Sequence, residues 1–272
     1  MSDIKQQFSD NGFFAPLDVM PESELLDAAE KHQQLQAKVT AAVGAPQRFK
    51  LHLLDTWLAD LVCNKTILDA VEKIIGPDIL CWSSDFFVKP PCDSGFVSMH
   101  QDCTYAGLTP HDGVVNVWLA LTPSTTASGC LQVVSGSHKL GQLEHKQTTS
   151  EDNMLFFGQT IDRQFSKADI IDMELRPGQA SLHHMAIAHG SQPNTTNIPR
   201  IGFVLRYMRP DVKQSKGPDS ATLVRGQDTI GHFEHEPLPV EAPSSDSVSV
   251  SNWTAASIEI FKNALAKPSA LG

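Results

Sequence analysis

A histidine and an aspartate stand two positions apart in the stretch VSMHQDCTY, residues 97–105. The stretch predicts a strand, in which successive side chains point to opposite faces, so His100 and Asp102 would share one face. An imidazole nitrogen and a carboxylate oxygen are both ligands that divalent transition metals accept. The pair alone does not establish a metal site, because a strand histidine commonly serves only as a hydrogen-bonding side chain.

His189 is the candidate for a third donor. It ends an apolar run and precedes Gly190 in AIAHGSQPNTTNIPR, as expected of a side chain at the rim of a barrel where the chain turns. Two histidines and one carboxylate form the facial triad of non-haem Fe(II) oxygenases, which leaves three coordination positions open. A bidentate 2-oxo acid would fill two of these positions and O₂ the third. The spacing therefore predicts an iron site of this kind.

Other histidines compete for the same role. His183 and His184 precede the candidate closely, and strict alternation would place His184 and His189 on opposite faces, so not all three can be ligands. Either of the two could line the pocket, orient a ligand through a hydrogen bond, or pack in the core. His232 and His235 are flanked by acidic residues without a strand pattern, which favours an exposed loop.

An oxo acid with a second carboxylate requires a counter-charge. Arg200 follows the loop after His189 and begins the next predicted strand, RIGFVLRY. If that loop joins antiparallel neighbours, the distance between Arg200 and the metal is about the length of a five-carbon diacid. Its planar fork suits bidentate carboxylate binding better than a lysine would. We therefore expect Arg200 to anchor the co-substrate.

The elements that position these residues change character along the chain. Residues 1–76 are helix-rich, whereas residues 79–210 contain short runs of β-branched and aromatic residues between turn signals, which predict a sandwich or barrel. Residues 138–170 predict an insertion beside the active site, and residues 211–250 predict an irregular segment that lies on the barrel. A last helix is predicted over residues 252–267. The expected organisation is one domain over residues 1–272, with residues 211–272 as its C-terminal segment.

The composition excludes several classes of protein. The chain has 272 residues and a formal net charge of −10, and its lysines and arginines are scattered, so nucleic acid is not an expected partner. No apolar run reaches the length of a membrane span. Five cysteines without CxxC spacing predict reduced thiols and a cytoplasmic protein. No heptad run or isolated apolar helix face indicates the oligomeric state.

Four segments in residues 85–208 together resemble the phytanoyl-CoA dioxygenase family of Fe(II)- and 2-oxoglutarate-dependent oxygenases: FFVKPP, MHQD, VWLALTPSTTASGCLQVVSGSHK and LRPGQASLHHMAIAHGSQPNTTNIPRIGFVLRY. The resemblance implies a double-stranded β-helix, or jelly-roll barrel, with iron inside one mouth and helices flanking it at both ends of the chain. It also implies which residues bind iron and which bind 2-oxoglutarate. The implied iron ligands are His100, Asp102 and His189, and the implied 2-oxoglutarate residues are Arg200, Trp118 and Ser191.

The same resemblance implies the reaction. 2-Oxoglutarate and O₂ would be converted to succinate and CO₂ while a hydroxyl group enters an unactivated C–H bond, with ascorbate supporting activity. Halogenating members of the superfamily have Ala or Gly at the carboxylate position, so that halide can take its place on the metal. Asp102 therefore favours hydroxylation.

The sequence gives less information about the substrate than about the metal and the co-substrate. A CoA thioester would be expected to need a basic surface, which this acidic chain lacks. We expect a small polar, anionic or zwitterionic metabolite, since the chain resembles bacterial members that hydroxylate 2-aminoethylphosphonate at the carbon bearing the phosphonate. The candidate lining residues are Tyr105, Asn116, Arg163, Arg206 and Arg225, together with Asn153 and Gln159. The alternatives are a hydroxylase of an acyl-CoA or amino-acid derivative, a catalytically silent metabolite-sensing barrel, and a cupin-like isomerase or hydrolase.

Overall fold

The computed structural model describes residues 3–148, 150–155 and 158–239, and in addition residues 259, 260, 262, 263 and 266. The helices are α1 (Ile4–Asn11), α2 (Ala28–Val43), α3 (Thr56–Val62), α4 (Lys65–Ile75) and α5 (Cys103–Ala106). The strands are β1 (Phe13–Asp18), β2 (Ile79–Lys89), β3 (Val97–His100), β4 (Leu108–Thr109), β5 (Val114–Ala120), β6 (Leu131–Val134), β7 (His145–Gln147), β8 (Gln159–Ile161), β9 (Ile170–Met173), β10 (Gln179–His184), β11 (His189–Ser191), β12 (Arg200–Met208), β13 (Lys213–Gln214), β14 (Ser220–Arg225) and β15 (Glu234–His235).

The N-terminal helices begin and end where local chemistry predicts. The Asn64 side chain accepts hydrogen bonds from the backbone N–H groups of Thr66 and Ile67, which caps the start of α4. Helix α1 ends at Gly12, whose φ of 82° is a left-handed conformation that glycine adopts without steric cost. The apolar faces of both helices pack into one core cluster with the large sheet. These helices therefore cover one face of the β structure.

Two sheets form the body of the molecule. The large sheet has the strand order β1-β10-β5-β12-β2-β14-β15, and the small sheet has the order β3-β11-β6-β9. All pairs in the small sheet are antiparallel, and its neighbours along the sheet are distant along the chain. From β2 to β12 the chain crosses repeatedly between the two sheets, with β6 and β9 as an antiparallel pair inside the small sheet, as in a jelly roll.

The central strands of the large sheet are buried on both faces. In β5, Val115 and Leu119 pack with the helices, whereas Trp118 and Ala120 pack with residues of the small sheet such as Val133. Side-chain alternation along the strand explains why β5 is apolar at nearly every position. The cavity of the fold lies between the two sheets. The double-stranded β-helix predicted from the sequence is confirmed.

Two local predictions differ from the structure, and a third falls mostly outside the described residues. Strand β1 lies in the helix-rich N-terminal part, where Pro16 hides its pattern; β1 is an edge strand, where a proline is tolerated. The strand predicted over residues 97–105 ends at His100, and the chain turns into α5. The predicted helix over 252–267 lies mostly outside the described residues, and those described within it are helical.

In the part of the chain that the structure describes, no helix has both the length and the hydropathy that a membrane crossing requires.

Candidate metal centre

Three buried side chains converge between the sheets. The ligand atoms of His100, Asp102 and His189 all lie within 4.8 Å of one another. The Oδ1 atom of Asp102 is 3.4 Å from Nε2 of His100 and 3.7 Å from Nε2 of His189. Ligands bound to one ion at about 2.1 Å lie about 3 Å apart, so a metal ion needs only small adjustments to be held by all three.

The two imidazoles are oriented in the same way. Nδ1 of His100 is 2.9 Å from the carbonyl oxygen of Ser98, and Nδ1 of His189 is 3.0 Å from that of Ile187. Each ring therefore donates its Nδ1–H to a carbonyl two residues upstream and directs the lone pair of Nε2 to the centre. His100 and His189 are direct partners in the β3–β11 register, which brings the two rings together.

The carboxylate reaches the centre by a different route. Asp102 lies at the N-terminus of α5 rather than in a strand, and the following turn of helix brings Tyr105 back to it. The Tyr105 hydroxyl donates to Oδ1, and Nδ2 of Asn116 donates to Oδ2 at 2.8 Å. Nε of Arg206 lies 3.6 Å from Oδ2. These contacts leave one edge of the carboxylate facing the histidines.

The electrostatics keep Asp102 and His189 in the form that binds metal. Burial by itself would raise the pKa of Asp102, but the Arg206 guanidinium and the neighbouring histidines hold this pKa well below its usual range. Burial, reinforced by the nearby His100, lowers the pKa of His189 to about 4. An ionised carboxylate and a neutral imidazole are the ligating forms, and this donor set suits Fe(II).

The insertion predicted beside the active site forms hydrogen bonds with β3 and with the residue that follows it. Asn153 donates to the Ser98 hydroxyl at 3.0 Å, and that hydroxyl donates to the carbonyl oxygen of Gln159. The backbone N–H of Gln101 donates to Nε2 of His145 at 3.1 Å. Among the described residues, none between 138 and 170 lines the cavity. The insertion therefore contacts the strand that carries His100, and Asn153 and Gln159 belong to this support.

Arg200 is a buried cation without a carboxylate partner among the described residues. Its side chain is 2% exposed, its Nη1 donates to the carbonyl oxygen of Phe87 at 3.3 Å, and its Nε has no partner. Burial lowers its pKa to about 10, so it remains charged at neutral pH. The guanidinium stacks over the Trp118 ring at 5.2 Å. An anionic ligand would compensate this charge.

The position of Trp118 depends on a glycine. A Cβ atom at Gly202 would lie 2.0 Å from Cζ2 of Trp118, so only glycine leaves room for the indole against β12. Trp118, Ser191 and Arg200 all line the same cavity as the three metal donors. Arg200 lies in the large sheet and His189 in the small one, so the loop between them crosses from one sheet to the other rather than joining adjacent strands.

The cavity has a volume of about 480 Å³ including its opening. Its lining residues are Phe87, Val97, His100, Asp102, Tyr105, Trp118, Leu131, His183, His189, Gly190, Ser191, Arg200, Val204 and Arg206. The apolar members surround the path from Arg200 to the metal donors.

The structure separates the residues suggested for substrate binding. Tyr105 and Arg206 line the cavity, and Asn116 lies behind it and contacts Asp102. Arg163 is exposed and stacks near Phe165. Arg225 lies on the other side of the large sheet and pairs with Asp69 and Glu72 of α4 at 2.9 and 2.7 Å. These last two arginines are not part of the cavity.

The sequence did not assign a definite role to two polar residues in or next to the site, His183 and Asp85. His183 faces the cavity, whereas His184 points away and accepts the backbone N–H of Ala186. Burial, with the field of His189, holds the pKa of His183 well below its usual range. Asp85 is fully buried and pairs with Arg206 at 2.5 Å. An acid inside the apolar run ILCWSSDFFVK was the signal for Asp85, because a buried carboxylate needs a partner.

A donor set of this composition inside a double-stranded β-helix is the arrangement of the Fe(II)- and 2-oxoglutarate-dependent dioxygenases. A family model described as phytanoyl-CoA dioxygenase matches residues 8–202, which is most of the chain. The chain belongs to the phytanoyl-CoA dioxygenase family.

Curated relatives match over part of their length. The probable phytanoyl-CoA dioxygenase of Caenorhabditis elegans is 29% identical over 152 residues, which cover 54% of this chain and 49% of that protein. The human peroxisomal phytanoyl-CoA dioxygenase is 32% identical over 136 residues, which cover 48% of this chain and 39% of that protein. The matches thus span half or less of these two relatives.

Solved structures match over nearly the whole chain. The apo structure of the non-heme monooxygenase ThoJ has a TM-score of 0.86 and 33% identity, and the match covers 98% of this chain and 96% of that one. CytC3 with Fe(II) and alpha-ketoglutarate has a TM-score of 0.65 and 22% identity, with 85% and 91% covered. At 22% identity, the similarity to CytC3 shows a shared fold.

Proposed function

We propose that the chain is an Fe(II)- and 2-oxoglutarate-dependent hydroxylase of a small polar metabolite. In this reaction 2-oxoglutarate, O₂ and a C–H bond give succinate, CO₂ and a C–OH group, so one oxygen atom enters succinate and the other enters the product. The observation that carries the proposal is the buried Arg200, which has no carboxylate partner among the described residues and lines the same cavity as the three metal donors. A buried cation of this kind is costly unless an anion completes it.

In this proposal His100, Asp102 and His189 hold the metal through one side of its coordination sphere. Bound Fe(II) supplies the redox chemistry that activates O₂ and oxidises the co-substrate. Arg200 binds the far carboxylate of 2-oxoglutarate through its planar fork, and Trp118 holds the guanidinium in place.

Apolar and small side chains complete the co-substrate pocket. Val97, Leu131 and Val204 line the cavity beside Ser191. They exclude water from the reacting centre and strengthen the electrostatic contact with Arg200. The Ser191 hydroxyl offers a further hydrogen bond to the same carboxylate.

Hydroxylation rather than halogenation follows from Asp102. The carboxylate occupies the position that a halide would need, and Asn116 and Tyr105 hold it there. Removing the carboxylate would be necessary to open that position.

For the substrate, we propose a small polar, anionic or zwitterionic metabolite, with 2-aminoethylphosphonate as the first compound to test. The support for this compound is the sequence resemblance, since Arg163 and Arg225 lie outside the cavity and Arg206 is already paired with two carboxylates. Among the described residues that line the cavity, Arg200 is the one unpaired cation.

The test is aerobic incubation of the purified protein with Fe(II), ascorbate and 2-oxoglutarate, with and without 2-aminoethylphosphonate and a panel of polar metabolites. Succinate formation and the gain of one oxygen by a metabolite are measured by mass spectrometry. We expect metabolite-dependent succinate formation in the wild type. The exposed Arg163→Ala variant is the matched control for Arg200→Ala, and only the latter should lose 2-oxoglutarate turnover.

The same assay separates the alternatives. A metabolite-sensing barrel would bind Fe(II) and 2-oxoglutarate without metabolite-dependent succinate, and a cupin-like isomerase or hydrolase would act without O₂. Acyl-CoA and amino-acid derivatives in the panel test the other hydroxylase substrates. If no 2-oxoglutarate is consumed under any of these conditions, the proposed function is wrong.

A further inference from the structure

His183 is a buried side chain of the cavity that the metal centre does not use. It lines the cavity and is 2% exposed. Its Nδ1 atom is fully buried and has no hydrogen-bond partner, and neither ring nitrogen is bonded to any of the described residues. An imidazole buried in this way has lost its hydration without replacement inside the protein.

The donor groups beside His183 are already directed at carboxylates, whereas Oδ1 of Asn116 is buried without a hydrogen-bond partner among the described residues. On the inner face of the large sheet, His183 pairs in register with Asn116, and Asn116 pairs with Arg206. Asn116 directs its Nδ2 to Asp102, and Arg206 bridges Asp85 and Asp102. Of the two residues in this row that have an unpartnered polar atom, His183 and Asn116, His183 is the one that lines the cavity.

His183 lies beside the metal donors without belonging to them. Its ring centroid is 5.2 Å from that of His189, and the rings are inclined at 52°. The cluster of donor atoms that could share one ion contains His100, Asp102 and His189, and His183 is outside it. A molecule bonded to His183 would consequently lie next to the metal, where a C–H bond has to be placed for hydroxylation.

We propose that His183 binds the primary substrate by a hydrogen bond to an uncharged polar group, such as a hydroxyl or an amide. This inference rests on the proposed function. Co-substrate binding at Arg200 leaves the His183 end of the cavity for the second molecule. The group is uncharged because Arg206, the cation at that end, is neutralised by two carboxylates. His183 is thus a specificity-determining residue that orients the substrate.

The first test measures stability without any substrate. The variant His183→Leu removes both ring nitrogens and keeps a side chain of similar bulk. Because His183 has no hydrogen-bond partner in the part of the chain that the structure describes, this variant should unfold at the same temperature as the wild type or at a higher one. A clear decrease in the unfolding temperature, larger than that of Ser181→Ala, would show that His183 is bonded inside the fold and would overturn the inference.

Ser181 provides the matched control. It lies two residues before His183 on the same face of β10, and its hydroxyl is also buried without a partner, but it does not line the cavity. Removing this hydroxyl tests whether the loss of any unpartnered polar group gives the same result.

The second test uses turnover. Wild type, His183→Leu, His183→Gln and Ser181→Ala are compared with Fe(II), 2-oxoglutarate and a panel of hydroxylated, amidated, carboxylated and phosphonated metabolites. For the best wild-type substrate, we expect kcat/KM to fall roughly 10- to 100-fold in His183→Leu, with partial recovery in His183→Gln, which retains a hydrogen-bonding group. Ser181→Ala should match the wild type.

The outcomes are distinguishable from failure of the proposed function. If the wild type does not consume 2-oxoglutarate with Fe(II), the proposed function fails and the stability result alone decides whether His183 is internally bonded. If the wild type is active and His183→Leu has unchanged kcat/KM, or if the best substrate is a phosphonate insensitive to His183, the inference is wrong. Loss of the visible absorption of the Fe(II)–2-oxoglutarate complex in His183→Leu would also overturn it, because His183 would then position a metal ligand.

Discussion

Strand β12 carries two buried arginines that have opposite electrostatic surroundings. Arg206 is 4% exposed, pairs with Asp85 at 2.5 Å and lies 3.6 Å from Asp102. Arg200 is 2% exposed and has a backbone carbonyl and the face of Trp118 as its partners. Burial lowers the pKa of Arg200 to about 10, whereas for Arg206 the effect of burial is outweighed by the two carboxylates, which raise its pKa.

The difference shows what each arginine does. A buried cation that is fully compensated within the chain stabilises the fold and orients the groups that it contacts. A buried cation that is left without an anion lowers the stability of the empty protein and raises its affinity for an anionic ligand. We therefore expect substitutions at the two positions to affect different measurements.

The largest effect is expected for Arg206→Leu. This change leaves the Asp85 and Asp102 carboxylates buried without their cation, which should reduce the free energy of unfolding by about 3–5 kcal/mol. Denaturant unfolding of the metal-free protein measures the change. Arg206→Lys, which keeps the charge, should lose less, and equal stability of wild type and Arg206→Leu would refute the structural role.

A smaller and different effect is expected for Arg200→Ala. Loss of the charge-assisted pair should weaken 2-oxoglutarate binding by about 2 kcal/mol, or roughly thirtyfold in Kd. The free energy of unfolding without 2-oxoglutarate should decrease little, because no anion in the described chain loses its partner. Calorimetric titration of the Mn(II)-loaded protein with 2-oxoglutarate measures the affinity, and an unchanged Kd would favour the isomerase alternative.

The pH dependence sharpens the comparison further. Because the pKa of Arg200 in the free protein is about 10, 2-oxoglutarate affinity should decrease above that pH, by about tenfold for each further pH unit. For stability the sign is opposite. The unfolded chain binds the Arg200 proton more tightly, so between pH 10 and the ordinary arginine pKa the contribution of Arg200 to the free energy of unfolding rises. Titrations of wild type and Arg200→Ala at several pH values test both statements, since the variant should show neither dependence.

The smallest effect is expected for Gly202→Ala. The added methyl group must displace Trp118, whose Cζ2 atom would otherwise lie 2.0 Å away, and this disturbs the stacking on Arg200. We expect 2-oxoglutarate affinity to fall by about 1 kcal/mol, the order of a partly buried cation–π contact. The tryptophan fluorescence of the variant should change in parallel, and unchanged affinity would show that Trp118 does not hold the guanidinium.

The sequence predicted the fold and the set of metal donors more completely than their local structure. Residue type and order identify His100, Asp102, His189 and Arg200, and the structure brings these four side chains into one cavity. The argument from strand alternation was wrong for Asp102, because β3 ends at His100. Asp102 faces the same way through the turn into α5, and no periodic pattern records such a turn.

Other features could not be predicted because they depend on contacts between distant segments. Arg225 pairs with acidic residues of α4, far away along the chain, and nothing near it in the sequence indicates that partner. Arg163 is in a segment without clear periodicity, so the sequence could not predict whether its side chain faces the cavity or the solvent. His183 and His184 were equivalent in the sequence, and the direction of β10 decides which one faces the cavity.

The orientation of the two metal-site imidazoles is set by main-chain carbonyls of Ser98 and Ile187 rather than by side chains. Every residue type supplies a carbonyl, so replacing either neighbour by another amino acid does not remove the bond that aims the ring. The aim of the two imidazoles is thus independent of the side chains at positions 98 and 187, whereas Asp102 is held by the side chains of Tyr105, Asn116 and Arg206. Substitutions at these two positions would therefore leave both rings directed at the centre, whereas substitutions around the carboxylate would not.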